Sequence, residues 1–156
     1  MRPPDFVIGG AARPYIQRWW LIPRNRWFNI YLHRIMRDDD DRALHDHPWW
    51  NVSILLRGAY VEVRPDFKAA KTPYTRIADL PVTRKRHGVG SVVFRRATTS
   101  HRLELPIENG GIRYVWSLFI TGPVIRKWGF HCPHGWRFWK DFVAQDDIGA
   151  VGKGCE

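Results

Sequence analysis

Two histidines placed two residues apart constrain this chain more than any other feature. They lie in the stretch 45–51, whose sequence is HDHPWWN. Alternate residues of a strand point to the same face, so His45, His47 and Asn51 are predicted to share one face. Two imidazoles on one face can bind a metal ion, and a third nitrogen ligand must come from elsewhere. His101, at the end of the stretch 90–101, is the best candidate.

Length and composition limit the kind of domain that can surround these histidines. At 156 residues the chain fits one domain with a substantial core. Hydrophobic residues make up 44% and include nine tryptophans, which favours a packed core or a ligand pocket over disorder. Two cysteines are too few for a disulfide framework. The sequence has neither an apolar signal segment nor a run of about 20 apolar residues. We therefore expect a cytoplasmic protein with no membrane partner.

The net charge of +10 raises the question of a nucleic-acid partner. Arginines interleave with aromatic residues as in single-strand binders, but buried tryptophans produce the same pattern. The basic residues are spread along the chain, and their longest run is 84–86. A small-molecule partner is therefore favoured over nucleic acid.

Short apolar runs separated by turn signals predict an all-β barrel or sandwich. In the run 27–36, Tyr31 and His33 fall on the face opposite Ile30 and Leu32. Gly58 predicts a tight hairpin between neighbouring strands, and a second hairpin is predicted at 108–111. We expect three segments: an N-terminal arm at 1–27, the barrel at 28–125, and an aromatic-rich C-terminal segment at 126–156. Within the arm, residues 1–14 are expected to be loose, and 15–21 to form a short helix or strand. In that last segment, Trp136, Trp139 and Phe142 or Val143 recur at helical spacing and predict a short amphipathic helix that packs on the barrel.

Two other groups of potential ligands are weaker. The four aspartates at 38–41 lack the alternation and the glycine of a calcium loop, so a solvated acidic loop is predicted. In the tail, His131, Cys132 and His134 suggest a zinc site, but the only other cysteine is Cys155. The alternative is an aromatic loop that closes one end of the barrel.

The histidine spacings match two motifs of a known family. The first, G-x5-H-x-H-x3-E-x6-G, is met at His45, His47 and Gly58, with Asn51 in the glutamate position and Asp39 in the leading glycine position. The second, G-x5-P-x-G-x2-H-x3-N, is met at Gly90 and His101, with Arg96, Thr98 and Leu105 in its proline, glycine and asparagine positions. On these residues, roughly from 28 to 120, the chain resembles the cupin superfamily. The phrases H-D-H-P-W and W-G-F-H-C-P-x-G-W further resemble small uncharacterised cupin-like proteins of phages and bacteria.

The resemblance implies a double-stranded β-helix, a jelly-roll-like barrel, that holds one divalent metal and forms a homodimer. Three neutral imidazoles, with Asn51 in place of a carboxylate, would leave the metal its full +2 charge and favour anionic or chelating ligands. The set resembles the three-histidine site of thiol dioxygenases, which bind ferrous iron. Iron is therefore the first choice, with manganese, nickel and zinc as alternatives. The histidines could instead be hydrogen-bonded pocket residues that hold no metal.

Several other side chains are candidates for the site. Glu104 is the carboxylate nearest His101 in sequence, so it could be a general base or support a ligand, although a surface glutamate fits the pattern equally well. Depending on strand parity, the residues that could line the cavity are Tyr31, His33, Tyr60, Glu62, Arg102, Glu104, Tyr114 and Trp116. From these we take Tyr60, Tyr114 and Trp116, together with Asn51, as binding residues.

Three functions follow from this chemistry. The leading hypothesis is a metal-dependent oxygenase that acts on a small polar or anionic substrate. The first alternative is a non-redox isomerase or lyase, in which the metal acts as a Lewis acid. The second is a non-catalytic module that binds a sugar, a nucleotide or nucleic acid.

Overall fold

The computed structural model describes residues 2–10, 12–39, 43–108, 111–112, 114–147 and 150–156. Within these ranges the regular secondary structure consists almost entirely of short strands, as predicted. The strands are β1 (Phe6–Ile8), β2 (Ile16–Trp20), β3 (Asn29–Ile35), β4 (Leu44–His45), β5 (Asn51–Arg57), β6 (Tyr60–Pro65), β7 (Val82–His87), β8 (Val92–Arg95), β9 (Arg102–Glu104), β10 (Ile107–Glu108), β11 (Gly111–Ile112), β12 (Val115–Thr121), β13 (Gly129–Cys132) and β14 (Gly135–Phe138). Two 3₁₀ turns (Phe67–Ala69 and Ile77–Asp79) and one short helix, α1 (Trp139–Phe142), complete the described elements.

The barrel has two facing layers. One is a six-stranded sheet in the order β1-β2-β3-β12-β5-β8, and the other comprises the three-stranded sheets β7-β6-β9 and β14-β13-β4. The layers meet in a core to which the large sheet contributes Ile16, Ile35, Leu55 and Val115, and the β7-β6-β9 layer contributes Tyr60, Leu103 and the adjoining Leu105. This apolar core fills one part of the interior and leaves the remainder for polar side chains.

Strand alternation decides which side chains enter the barrel. On β12 the buried positions are Val115, Ser117, Phe119 and Thr121, and the positions between them are less buried. On β3 the buried positions are Tyr31, His33 and Ile35. The prediction that Tyr31 and His33 share a face is therefore confirmed, and that face points inward.

Three sequence-based expectations about local structure are corrected. The arm that was expected to be loose contains a strand, because Phe6–Ile8 pairs with β2, which in turn pairs with β3. Gly58 has a φ of +79° and turns the chain, but β5 and β6 enter different sheets and form no hairpin. Trp136 lies on β14, and the helix is a single turn at Trp139–Phe142 because two strands occupy the preceding residues.

The second hairpin is confirmed, since β10 and β11 pair antiparallel. Its Asn109 and Gly110 lie outside the described residues. The two cysteines, though too few for a framework, pair with each other: Cys132 and Cys155 form a disulfide. Because disulfides are typical of oxidising compartments, the cytoplasmic location stays a prediction. The described part of the chain has no helix with the length and apolarity that a membrane span requires.

Candidate metal centre

Backbone pairing brings the three motif histidines together. His45 and His101 form an antiparallel bridge, with both N–H···O distances at 2.9 Å. The His47 N–H donates to the carbonyl of Ala97 at 3.0 Å. The loop that carries His45 and His47 is thus joined to the loop that carries His101, so the three imidazoles meet inside the barrel.

The distances within this group suit a metal ion. One ligand nitrogen from each of His45, His47 and His101 lies within 4.8 Å of the other two. The Nε2 atoms of His47 and His101 are 2.8 Å apart. Ligands about 2.1 Å from a common ion stand roughly 3.0–3.4 Å apart, a spacing that these values bracket. Among the described residues, this is the one group of three such side chains that could hold a metal.

The environment keeps these imidazoles in the form that binds metals. Burial lowers the pKa of all three rings, and that of His101 falls to about 3. The Arg95 guanidinium lowers each of them further. Neutral imidazole is the ligand form, so no proton has to leave at neutral pH. In addition, His45 Nδ1 is buried without a hydrogen-bond partner. The residues present therefore fit a metal.

The carboxylate of Glu62 lies next to the histidine group, on the Nδ1 side of His101. Its Oε1 atom lies 2.8 Å from His101 Nδ1, although the ring is not aligned for a straight N–H···O bond. The same oxygen accepts a hydrogen bond from Arg95 Nε, and Oε2 pairs with Arg64 at 2.8 Å. Burial alone would raise the pKa of Glu62, but His101 and Arg95 outweigh it and hold that pKa far below its usual value. Glu62 is therefore a carboxylate at neutral pH.

Arg95 binds two of the residues that were predicted to contact ligand. Its Nη1 donates to Asn51 Oδ1 at 3.1 Å and to Ser53 Oγ at 2.9 Å. Its Nη2 donates to the Tyr60 hydroxyl at 2.8 Å. Asn51 and Tyr60 are thus buried partners of an arginine. The charged pair Glu62–Arg95 occupies the interior beside the histidines.

Aromatic rings form the wall next to the group. Trp49 stacks on His47 with ring centroids 4.9 Å apart, and Trp128 faces the same imidazole at 6.5 Å. Phe119 meets Trp49 edge-on at 5.6 Å and stacks on His33 at 4.7 Å. These contacts orient His47 and make one side of the site apolar.

Three predicted site residues lie elsewhere. Glu104 pairs with Arg102 at 2.8 Å and with Arg84 at 3.4 Å, and the carboxylate beside His101 is Glu62. Trp116 stacks on Trp19 at 5.5 Å, on the face of β12 opposite its buried side chains. Tyr114 is 42% exposed and lies under the Arg34 guanidinium. The expectation that these residues line the cavity is corrected, because strand parity turns Trp116 outward and Tyr114 stacks with Arg34 outside the barrel.

The acidic loop is partly structural. Asp39 accepts a hydrogen bond from the Leu103 N–H at 2.7 Å and lies 4.0 Å from His45 Nδ1. Asp38 accepts one from the Leu105 N–H. The prediction of a wholly solvated loop is thus wrong for Asp39, whose side chain is only 5% exposed. Asp40 and Asp41 lie outside the described residues.

The tail does not form the zinc alternative. Cys132 is bonded to Cys155 in a disulfide, so it has no thiolate that could bind zinc. His131 Nε2 lies 2.9 Å from Ser100 Oγ and 3.3 Å from Asp46 Oδ2. This cluster contains a serine, a histidine and an aspartate, but the serine and the aspartate both approach the same ring nitrogen of the histidine. A nucleophilic triad needs opposite nitrogens, so the cluster is structural. Asp46 also accepts from the Gly129 N–H and from Trp136 Nε1, which fixes the tail to the barrel.

A groove of about 430 Å³ opens on the side of this tail. It is lined mainly by apolar side chains, among them Leu80, Pro133 and Phe142, and the three motif histidines do not line it. The group that carries metal-ligand chemistry is therefore separate from this groove.

Comparison with solved structures supports the fold described above. No protein-family model matches the chain, and no curated protein does. Among solved structures, it is similar to an uncharacterised conserved protein with a double-stranded β-helix domain from Klebsiella pneumoniae, at 10% identity and a TM-score of 0.50, over 84% of this chain and 90% of that one. It is also similar to HppE in its Fe(II) form with substrate, at 11% identity and a TM-score of 0.54, over 77% of this chain and 56% of the HppE chain.

The fold and the histidine group define a β-barrel protein with a potential metal centre. More narrowly, the chain has a double-stranded β-helix fold, which is the fold that its resemblance to the cupin superfamily implied. At such low identities the likeness establishes the fold alone.

Proposed function

We propose that this protein is a metal-dependent oxygenase that binds Fe(II) through His45, His47 and His101 and acts on a small polar or anionic substrate. The observation that carries the proposal is the convergence of three neutral, largely buried imidazoles. The Fe(II) form of HppE, a protein of the same fold, is a reason to test iron first. When bound, Fe(II) would supply redox chemistry towards dioxygen.

The chain's own residues would orient the ligands and limit water. Glu62 faces His101 Nδ1, so Nε2 is the nitrogen that points towards His47 and the proposed metal, and the carboxylate would increase the basicity of that nitrogen. Stacking between Trp49 and Trp128 fixes the plane of His47. The aromatic wall lowers the local dielectric, which strengthens electrostatic interactions with a charged substrate.

The proposal is tested first by the metal content of protein purified without added metal or a chelating tag. We expect about one equivalent of iron, or uptake of Fe(II) on reconstitution, and loss of both in His101→Ala. The matched control is His131→Ala, which should keep the metal. Stoichiometric zinc with no oxygen uptake would favour Lewis-acid chemistry. Absence of metal even after reconstitution would refute the oxygenase and favour a binding module.

We also propose that the protein is a homodimer that buries the outer face of the six-stranded sheet. Across its register this face carries two apolar rows, Leu32-Leu118-Ile54-Val92 and Ile30-Ile120-Val52-Phe94. Val92 and Phe94 are 66% and 58% exposed. Contiguous apolar surface of this kind is typical of an interface. Light scattering should give a dimer for the wild type and for the control Tyr74→Ser, and a monomer for Phe94→Glu. A monomeric wild type would exclude the interface.

A further inference from the structure

One arginine inside the barrel is held by neutral partners only. Arg18 on β2 lies opposite His33 on β3, with its side chain on the inward face. Its Nε donates to His33 Nε2 at 2.9 Å, and its guanidinium carbon stands 4.6 Å from the centre of the Tyr31 ring. Both neighbours are buried. The guanidinium is therefore fixed in place with most of its donors unused.

No carboxylate balances this charge within the described ranges. The buried acids are engaged elsewhere: Glu62 with Arg95, and Asp46 with Arg126. Burial lowers the pKa of Arg18 to about 10, so the side chain is still a cation at neutral pH. A desolvated charge without a partner is costly to the folded protein. An anion that enters the barrel would remove that cost.

Ring contacts connect Arg18 to the histidine group. His33 stacks on Phe119, which meets Trp49, which stacks on His47. The charge of Arg18 contributes to lowering the pKa of His47. A small molecule held at Arg18 would thus lie along the aromatic wall that leads to the histidines.

We propose that Arg18 binds the carboxylate of a small carboxylic-acid substrate, whose other end reaches His45, His47 and His101. His33 occupies the Nε–H, which leaves the two Nη groups to donate to the two oxygens of a carboxylate. This inference names the substrate class of the proposed oxygenase and rests on that function only for the reaction, since the anion site is formed by Arg18 without metal.

The chain offers a matched control in Arg34. It lies on β3, opposite Gln17, on the other face of the same sheet. Like Arg18 it stacks on a tyrosine, with its guanidinium carbon 4.2 Å from the centre of the Tyr114 ring. If Arg18 served only to pack the sheet, the two arginines would respond alike to substitution.

The experiment is an NMR titration of the full chain with acetate, and with acetamide as the uncharged isostere, at constant ionic strength. The indole N–H resonance of Trp49 reports binding in the metal-free protein and in the Zn(II)-loaded protein. We expect saturable acetate binding in both, no binding of acetamide, and affinity lowered about 10–100-fold in Arg18→Gln. Arg34→Gln should match the wild type. Arg18→Lys keeps the positive charge but lacks the paired N–H donors of a guanidinium, so this variant should bind acetate with intermediate affinity. It also provides the comparison if Arg18→Gln does not fold.

The outcomes separate this inference from the proposed function. Acetate binding that appears only with Zn(II) and is unchanged in the Arg18 variants would overturn the role of Arg18 and leave the metal centre intact. Binding that depends on Arg18 in a protein that takes up no metal would support the anion site and refute the oxygenase. Equal affinity for acetate and acetamide would overturn the carboxylate assignment.

Discussion

Replacing Glu62 by glutamine tests the buried charge pair behind the histidines. The change keeps the shape of the side chain and removes the negative charge, which leaves the Arg95 guanidinium buried without a counterion. Breaking such a pair costs about 3–5 kcal/mol of unfolding free energy. The glutamine oxygen can still accept one Arg95 N–H, so we expect the lower end, about 3 kcal/mol. The partner Arg64 is 37% exposed and adds little.

The measurement is urea unfolding of the metal-free protein, with Glu104→Gln as the control. Glu104 also contacts two arginines, but its side chain is 31% exposed, so its loss should cost less than about 1 kcal/mol. A double variant, Glu62→Gln with Arg95→Met, removes both charges and should lose less than the sum of the two single variants.

The same substitution should weaken metal binding. Without the carboxylate at Nδ1, His101 is less basic and less well oriented, so affinity should fall about 10–100-fold in a chelator competition assay. Glu104→Gln should leave affinity unchanged. A loss below about 1 kcal/mol in Glu62→Gln, with unchanged metal affinity, would refute the role assigned to Glu62.

Three further predictions concern the surroundings of the site. Burial and the Arg18 charge hold the pKa of His33 well below 6.5, so this side chain stays neutral in the folded state while it gains a proton in the unfolded state as the pH falls below 6.5. His33→Gln should therefore flatten the loss of stability between pH 6.5 and 5 in urea titrations, by a slope that approaches about 1.4 kcal/mol per pH unit at the lower end. Cys155→Ser opens a disulfide across a separation of 23 residues and should cost about 3 kcal/mol in urea unfolding, and dithiothreitol should destabilise the wild type equally and the variant no further. Asp46→Asn should cost about 2–3 kcal/mol because Arg126 loses its buried partner, while metal content stays unchanged; metal loss would place Asp46 in the site.

The histidine group could be predicted because its information is local. The H-x-H pattern of His45 and His47, with one residue between them, and the spacing from Gly90 to His101 predict the positions of the ligands once a barrel is assumed. The strand parity of Tyr31 and His33 was equally readable, since one face of that run is polar and aromatic. The prediction for Trp116 fails because the outward face of β12, with Trp116, Leu118 and Ile120, is more apolar than the inward face, which includes Ser117 and Thr121; composition therefore points to the wrong face.

The charge pair was beyond sequence reasoning for a different reason. Glu62 and Arg95 are 33 residues apart and belong to facing sheets, so their contact depends on the packing of two layers. Glu104 was preferred because it is close to His101 in sequence, yet Glu62 is closer in space. The first strand was missed because Phe6–Ile8 is only three residues long and lies between stretches rich in proline and glycine, and its pairing with β2 cannot be read from so short a run.

The arrangement around Arg95 accounts for the amide at position 51. The motif has a glutamate there, but the Asn51 oxygen accepts from Arg95, which already has Glu62 as its counterion. A second carboxylate at that point would leave one negative charge buried in excess, at a cost that a neutral amide avoids. The amide at position 51 adds no negative charge, and the three proposed ligands are neutral imidazoles. An anionic ligand for the proposed metal and a counterion for Arg18 would then have to come with the substrate, which is why a carboxylic acid is the ligand to test.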